Sequence, residues 1–370
     1  MDKYNTNTSF NKWFSPINLT TLSKGAQKEM AQFNQYVKKM DFESFLKLLL
    51  HAIHDEKESL RHLENTVINP KLQQEVGLTA ISYSQLARSL KRCPQSVLLE
   101  LFFQLLGQIE QYHPKISHKK LYIIDSTTFS LSQLAYKWAK FRPTKSGIKV
   151  HLMLRYIDKG EVYPVKFEQS TASAHDKNFL LNIVEEPNAT YVFDRGYLDY
   201  LMLDHLDDHG YFFVTRLKSN SLLCDTEDST WKLSNDSPII SDQLTRLGGK
   251  NDITNRFRVV TIQRKNASNL RLVTNRHDLS AEEISAIYQS RWEIELFFKH
   301  MKQHLTIKHY FSQSEEGVTN QVILAMIAYL LTYLMRLKLQ TKRSIFQVLR
   351  TLRTLLFEPF EQLIVQLVPT

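Results

Sequence analysis

The run Tyr288-Gln-Ser-Arg291-Trp-Glu-Ile-Glu295-Leu-Phe-Phe-Lys-His-Met-Lys302 sets one carboxylate among two cations and a phenol. On a helix, at about 100° per residue, Tyr288, Arg291, Glu295 and Lys302 fall within roughly 60° of one another. Two further acids, Asp125 and Asp194, each end a short apolar run, Leu121-Tyr-Ile-Ile-Asp125 and Ala189-Thr-Tyr-Val-Phe-Asp194. Three carboxylates brought to one point repel and raise each other's pKa unless cations neutralise them. Oxygen donors without His or Cys favour Mg²⁺ or Mn²⁺ over zinc. Two such ions can activate a water or a 3′-hydroxyl and stabilise the leaving oxygen of a phosphodiester displacement. Arg291 and Lys302 would then hold the phosphates on either side of the scissile bond. The plainer alternative is a solvated stripe of helical ion pairs. Against it stand the apolar Leu296, Phe297 and Phe298 beside the stripe, the basic residues that continue past the acid, and the two strand-end Asp residues.

The elements that must position these residues can be read in order. Ser280 with Glu283 forms a capping box, so the Glu295 helix is predicted to begin at about Ala281. Residues 1–25, rich in Asn, Thr and Ser, read as a loose arm. From Gln27 to about Leu106 the spacing is helical, with Phe42–His54 and Pro94–Ile109 the clearest stretches. A break at Gly77–Ser82 followed by Ser84–Arg92, with Ser84, Gln85, Arg88, Lys91 and Arg92, reads either as a helix-turn-helix reader of DNA or as an ordinary helical hairpin. Leu121–Asp125, Ile148–Ile157 and Val162–Ser170 are three predicted strands, the last two joined by an Asp-Lys-Gly-Glu turn. His175-Asp176 opens a predicted helix to about Glu186, followed by the strand ending at Asp194, a helix over Leu198–Asp208 and a strand over Tyr211–Leu217. This β-β-β-α-β-α-β order matches a ribonuclease H-like core. Predicted strands at Thr230–Leu233, Phe257–Arg264 and Leu270–Asn275 interrupt it as an all-β insertion. After the Glu295 helix come a buried helix, Val318–Leu339, and a basic amphipathic one, Ser344–Leu356, with Arg350 and Arg353.

The expected fold is therefore α/β. Its parts are a flexible arm at 1–25, a helical DNA-binding domain at 26–118 and the ribonuclease H-like core at 119–217. A β insertion subdomain at 218–275, the rest of the core at 276–337 and C-terminal helices at 338–370 complete it. A formal charge of +9 among 370 residues points to a polyanionic partner, nucleic acid before membrane. Two distant cysteines, Cys93 and Cys224, suggest neither disulfides nor structural zinc and fit a reducing compartment. The opening Met1–Phe14 has no apolar run of a signal peptide. The apolar stretch Val322–Met335 is shorter than the roughly 20 residues that span a bilayer.

The spaced set Tyr288, Arg291, Glu295 and Lys302 resembles the Tyr-Arg-Glu-Lys signature of bacterial DDE transposases of the insertion-sequence-four type. Asp125 in Ile-Ile-Asp-Ser-Thr and Asp194 in Phe-Asp-Arg-Gly-Tyr match the other two acids of that family, and the resemblance runs from about Lys119 to Leu337. It implies that Asp125, Asp194 and Glu295 bind two Mg²⁺ or Mn²⁺ ions, with no small-molecule cofactor. It implies nicking of double-stranded DNA at the terminal inverted repeats of an element. The freed 3′-hydroxyl would form a hairpin, and strand transfer into target DNA would complete cut-and-paste movement by a homodimer in the bacterial cytoplasm, at the nucleoid. In members that use a hairpin, a Trp of the insertion stacks on a flipped base. Trp231 is the Trp of this insertion, and packing within its own β layer is the alternative.

Further DNA-binding candidates are Arg195 beside Asp194, Lys299 beyond Glu295, Arg88, and the basic stretch with Lys137, Lys140, Arg142 and Lys145. Arg195 has an acid-paired alternative, and the basic stretch a solvated one. His151 reads as a satisfied sheet histidine rather than a ligand, His175 and Asp176 as caps of a helix, and Trp292 and Phe298 as core. Two other functions fit parts of the pattern. One is a ribonuclease H-like nuclease without strand transfer, and the other a domesticated DNA-binding protein that has kept the scaffold without the reaction.

Overall fold

The computed structural model describes residues 7–35, 37, 39–113, 120–132, 134–142, 145–172, 176–229, 231, 237–248, 253–265, 267–305 and 309–368. The chain divides into two compact units. One comprises residues 115–130 and 141–297; the other comprises residues 1–114, 131–140 and 298–370.

The first unit is built on a sheet with ten strands among the described residues. These are β1 (Leu121–Leu131), β2 (Lys140–Arg142), β3 (Lys145–Asp158), β4 (Glu161–Thr171), β5 (Thr190–Phe193), β6 (Phe212–Arg216), β7 (Leu223–Asp228), β8 (Ile239–Leu247), β9 (Phe257–Ile262) and β10 (Leu270–Thr274). Their order is β2-β3-β1-β5-β6-β10-β9-β8-β7, with β4 also paired to β3. β5 runs parallel to β1 and to β6. β10 is antiparallel to both β6 and β9. The centre is covered on both faces, as parallel strands require, and the sequence alternates to suit. Tyr191, Phe193, Phe213 and Val273 enter one apolar cluster with the helix Tyr200–Asp208. Their neighbours Val192, Val214 and Leu272 enter another with the helix Ala281–Gln289.

Beyond β6 the chain stays within the same sheet, because its last strand, β10, returns to pair with β6. β9 and β10 lie where alternation predicts them. Most of the predicted strand Thr230–Leu233 lies outside the described residues. β8 carries no sequence signal of its own, because the polar Asp242, Thr245 and Arg246 break its alternation. Asp242 is nonetheless buried and accepts a hydrogen bond from Arg258 Nε at 2.8 Å. Arg258 also donates to the carbonyls of Arg276 and Leu279, just before the cap of the Glu295 segment. Arg258→Met is expected to cost about 3–5 kcal/mol, because it leaves Asp242 charged and unpaired in the interior. Chemical denaturation would show it, and the double variant Arg258→Met/Asp242→Leu should recover most of the loss.

The second unit is helical among its described residues. At its centre lies the helix Glu315–Leu339, in which every residue from Gly317 to Met335 is buried. It is long and apolar enough to cross a membrane by composition, yet several of its polar groups are bonded within the unit. Asn320 Nδ2 donates to the Cys93 carbonyl at 3.0 Å, Gln321 Nε2 to the His309 carbonyl at 2.8 Å, and Thr332 Oγ1 accepts from Trp13 Nε1 at 3.1 Å. Such pairing is what a protein core demands of polar groups. Trp13 corrects the expected loose arm. Ser9–Phe14 is a helix capped by Thr8, with Phe10 and Trp13 fully buried. Three aromatics at helical spacing outweigh the polar composition around them. A C-terminal helix, Phe360–Leu367, follows the predicted one, which spans Ile345–Thr354.

The helix Phe42–His54 buries two histidines, His51 and His54, whose ring nitrogens have no hydrogen-bond partner. Burial lowers both, His51 to about 4. The unfolded chain therefore binds protons that the folded chain refuses, and stability is lost as pH falls below about 6.5 toward 4. The hydrogen-exchange protection factors of this helix, which correct for the slower intrinsic exchange at lower pH, should fall between pH 7 and pH 5, and His54→Leu should flatten the trend. Protection that rises on acidification would contradict the assignment.

Candidate active site

β1 and β5 are in register at Ile124 and Phe193. Asp125 and Asp194 are thus the next residues on two adjacent parallel segments, roughly 5 Å apart along the hydrogen-bonding direction; β5 ends there as expected, whereas β1 does not end at Asp125 but continues to Leu131. The capping box of Ser280 and Glu283 starts the helix Ala281–Gln289 as predicted. The single helix expected through Lys302 is not formed, however. Ser290 and Arg291 make a turn, held by bonds from Arg291 N to Tyr288 O at 3.1 Å and from Ile294 N to Arg291 O at 3.2 Å, and a second helix runs Trp292–His304. The tighter three-residue bonds re-aim Arg291.

That turn brings the guanidinium between two carboxylates. Arg291 Nη1 lies 3.1 Å from Asp125 Oδ2, while Nη2 bonds Glu295 Oε1. Asp125 accepts a 2.7 Å bond from the Ser126 amide. Burial, joined by the charges of Asp194 and Glu295, pushes the Asp125 carboxyl up to about 6 against the pull of Ser126 and Arg291. Burial and the nearby Asp194 raise the Tyr288 phenol, against the charges of Arg291 and Arg216 and a hydrogen bond with Arg291, which lower it.

Asp125, Asp194, Glu295, Tyr288 and Arg291 thus lie about one charged centre. Among the described residues no three His, Cys, Asp or Glu are gathered closely enough to hold an ion by themselves. Arg291 is the counter-charge to two of the acids. Three carboxylates without nitrogen or sulfur donors suit a hard divalent cation. Lys299, exposed, and Lys302, its amine lowered by burial, stand farther along the second helix, within the other unit.

Other candidates fall out variously. Arg195 is exposed beside Asp194, and Arg88 is exposed on the helix Tyr83–Arg92, whose own capping box is Ser82 with Gln85. The side chains of Arg142 and Lys145, and all of His175, lie outside the described residues. Trp231 donates from Nε1 to the His277 carbonyl at 3.2 Å and lies over Arg258 at 5.4 Å, with 39 % of its surface exposed. Trp292, expected in the core, is 58 % exposed, because the turn at Arg291 rotates it outward; Phe298 is buried as expected. His151 is buried, lowered to about 4 by burial, and bonded to Tyr197 and Ser170.

The sequence reading missed Arg216. β5 and β6 pair Phe193 with Thr215, so Arg216 is the next residue beside Asp194, and its charge is felt by Tyr288. The available signal was the same one that marked the acids, a charged residue closing an apolar run.

Residues 116–331 match the family described as transposase DDE domain. The chain is 32 % identical over 269 residues, 72 % of its length and 74 % of the relative's, to a protein of Sinorhizobium fredii named transposase y4zB. It is 30 % identical over 286 residues, 76 % and 73 % of the two chains, to a Geobacillus stearothermophilus protein named as transposase for insertion sequence element IS5377. It is 27 % identical over 289 residues, 75 % and 79 %, to a Synechocystis protein named as transposase for insertion sequence element IS4SA. With the family match covering more than half of the chain and relatives at 30 % identity or more aligned over most of its length, this protein belongs to the DDE transposases, metal-dependent enzymes that cleave DNA and transfer its strands.

Proposed function

We propose that this chain is the transposase of an insertion sequence of the insertion-sequence-four type, with Asp125, Asp194 and Glu295 as its catalytic acids. The observation that carries the reading is the single guanidinium of Arg291 shared by Asp125 and Glu295, with Asp194 in register beside Asp125. The strand order β4-β3-β1-β5-β6, with β1, β5 and β6 parallel, supports a ribonuclease H-like core.

The three carboxylates would hold two Mg²⁺ or Mn²⁺ ions, which when bound supply charge neutralisation and a more acidic attacking hydroxyl. The rest falls to the chain. Arg291, with five N–H donors in a planar fork, relieves repulsion between Asp125 and Glu295 and offers its remaining donors to the scissile phosphate. Tyr288 offers its phenol proton to a non-bridging oxygen, and Arg216 and Lys302 supply charge for neighbouring phosphates. A water oxygen attacks phosphorus in line, its proton passes to solvent, and the P–O3′ bond breaks to free a 3′-hydroxyl on the element's end. That hydroxyl then attacks a phosphorus of the opposite strand, its proton passing to solvent, and displaces that strand's 3′-oxygen, which leaves as a hydroxyl as the hairpin closes. Reopening of the hairpin and transfer to target DNA complete cut-and-paste movement by a dimer on the terminal repeats. In this route one face of Trp231 is covered by Arg258, and a flipped base would stack on the exposed remainder.

Incubating the protein and Mg²⁺ or Mn²⁺ with a labelled duplex of the end of its element tests the reading. A nick at one phosphate followed by a hairpin-sized product supports it. Nicking alone removes the Trp231 role, and tight binding without cleavage overturns the enzymatic reading.

A further inference from the structure

A fourth carboxylate, Asp176, lies behind the two aspartates and outside the reaction just described. It opens the turn Asp176–Asn178, and the described helix that follows is short, Leu180–Ile183. Asp176 Oδ1 accepts a 2.7 Å bond from Ser126 Oγ and a 3.2 Å bond from Lys149 Nζ, and lies 3.6 Å from His151 Nδ1. His151 Nδ1 is 3.2 Å from the Tyr197 hydroxyl, and its Nε2 is 3.1 Å from Ser170 Oγ. Tyr197 is buried and within hydrogen-bond reach of Ser126. The other carboxylate oxygen sits against Gly196, where an added Cβ would stand 3.4 Å from Asp176 Oδ2.

The connections matter because of where they end. Ser126 follows Asp125 and gives it its backbone N–H at 2.7 Å. Gly196 and Tyr197 belong to the turn Arg195–Tyr197, which starts immediately after Asp194. One carboxylate therefore grips both segments that carry Asp125 and Asp194. The Ser126 hydroxyl and Lys149 amine anchor it on β1 and β3, and the His151–Tyr197 pair braces it against the turn. His151 is itself fixed by a stacked Phe179, ring centroids 4.0 Å apart. Such outer partners set the orientation of ligating carboxylates, and losing one typically costs about 10- to 100-fold in metal affinity or activity.

We infer that Asp176 is a positioning residue, which locks Asp125 through Ser126 and Asp194 through Gly196 and Tyr197 into the spacing that a divalent ion requires. The inference rests on the proposed role of the two aspartates. Asp176 touches neither DNA nor an ion in this account.

The test uses the full-length protein and Mn²⁺ alone, with bound ion followed by the loss of free Mn²⁺ in electron paramagnetic resonance, beside metal-dependent nicking of the end duplex. Asp176→Asn keeps the size and loses the charge that holds Lys149 and Ser126. It should raise the Mn²⁺ concentration for half-saturation by about 10-fold or more while end binding measured without metal stays as in wild type. Ser126→Ala, which removes the hydroxyl that bonds Asp176 and lies within reach of Tyr197 but leaves Lys149 and Gly196 in place, should shift it in the same direction by less. Because the Ser126 bond is one of those that Asp176→Asn already weakens, the double variant should be no worse than Asp176→Asn. A role in folding alone would lower the melting temperature and end binding and leave the Mn²⁺ midpoint unmoved. That result, or a wild-type midpoint in both variants, overturns the inference while the catalytic reading stands. If wild-type protein binds no Mn²⁺ and Asp194→Asn nicks as wild type does, the catalytic reading falls and takes this inference with it.

Discussion

Glu295→Gln is expected to abolish DNA cleavage, lowering single-turnover nicking by at least about a thousandfold, with end binding retained. The substitution is nearly isosteric. It keeps an acceptor for Arg291 Nη2 and removes only the charge, so the fold has little reason to change. Asp125→Asn and Asp194→Asn should behave alike, since each directly follows the buried residues Ile124 and Phe193 that pair β1 with β5. The three losses should not add. A site that needs all of its charges fails completely when one is gone, and the double variants should be no slower than the singles. A variant that retains near wild-type cleavage would remove that acid from the site. Parallel loss of end binding would instead mark damage to the fold.

Arg291→Ala is the second large effect, and its direction separates two roles. If the guanidinium only held the acids together, its loss would weaken the binding of a cation in step with catalysis. The geometry argues otherwise. Arg291 bonds the same carboxylate oxygens that an ion would use, so it competes with the ion for Asp125 and Glu295. Mn²⁺ binding should therefore persist in Arg291→Ala, or tighten, while strand transfer falls by about 100-fold for want of a donor to the phosphate. Arg291→Lys should restore little, because an ammonium cannot reach two carboxylates and a phosphate in one plane. Loss of Mn²⁺ binding equal to the loss of strand transfer would contradict the phosphate role.

Much of this site was legible in the sequence because it rests on local rules. Asp125 and Asp194 stand out as charges closing apolar runs, since strands buried on both faces leave almost no place for a charge except their ends. The capping box at Ser280 fixes the start of the following helix to within a residue. What escaped depends on pairs far apart in the chain. No local pattern announces the turn at Ser290 and Arg291, because Arg291, Trp292 and Glu293 are all acceptable helix formers; the turn is decided by the carboxylates that Arg291 reaches. β8 was illegible because its buried Asp242 is tolerable only with Arg258, which lies 16 residues away. The grip of Asp176 on Ser126 spans 50 residues and two elements. The N-terminal helix was hidden for another reason. Composition averages over Asn and Thr masked Phe10, Trp13 and Phe14, whose spacing carried the information.

The central claim, that these three acids form one metal-dependent centre for cutting DNA, is tested most directly on a duplex of the element's end labelled at its 5′ terminus. Wild-type protein and Glu295→Gln are compared with Mg²⁺, with Mn²⁺ and with neither. The account predicts a single nick leaving a 3′-hydroxyl, present only with wild-type protein and a divalent ion, while both proteins shift the duplex equally in a gel without metal. Cleavage without a divalent ion, or cleavage by Glu295→Gln at the wild-type rate, would contradict it.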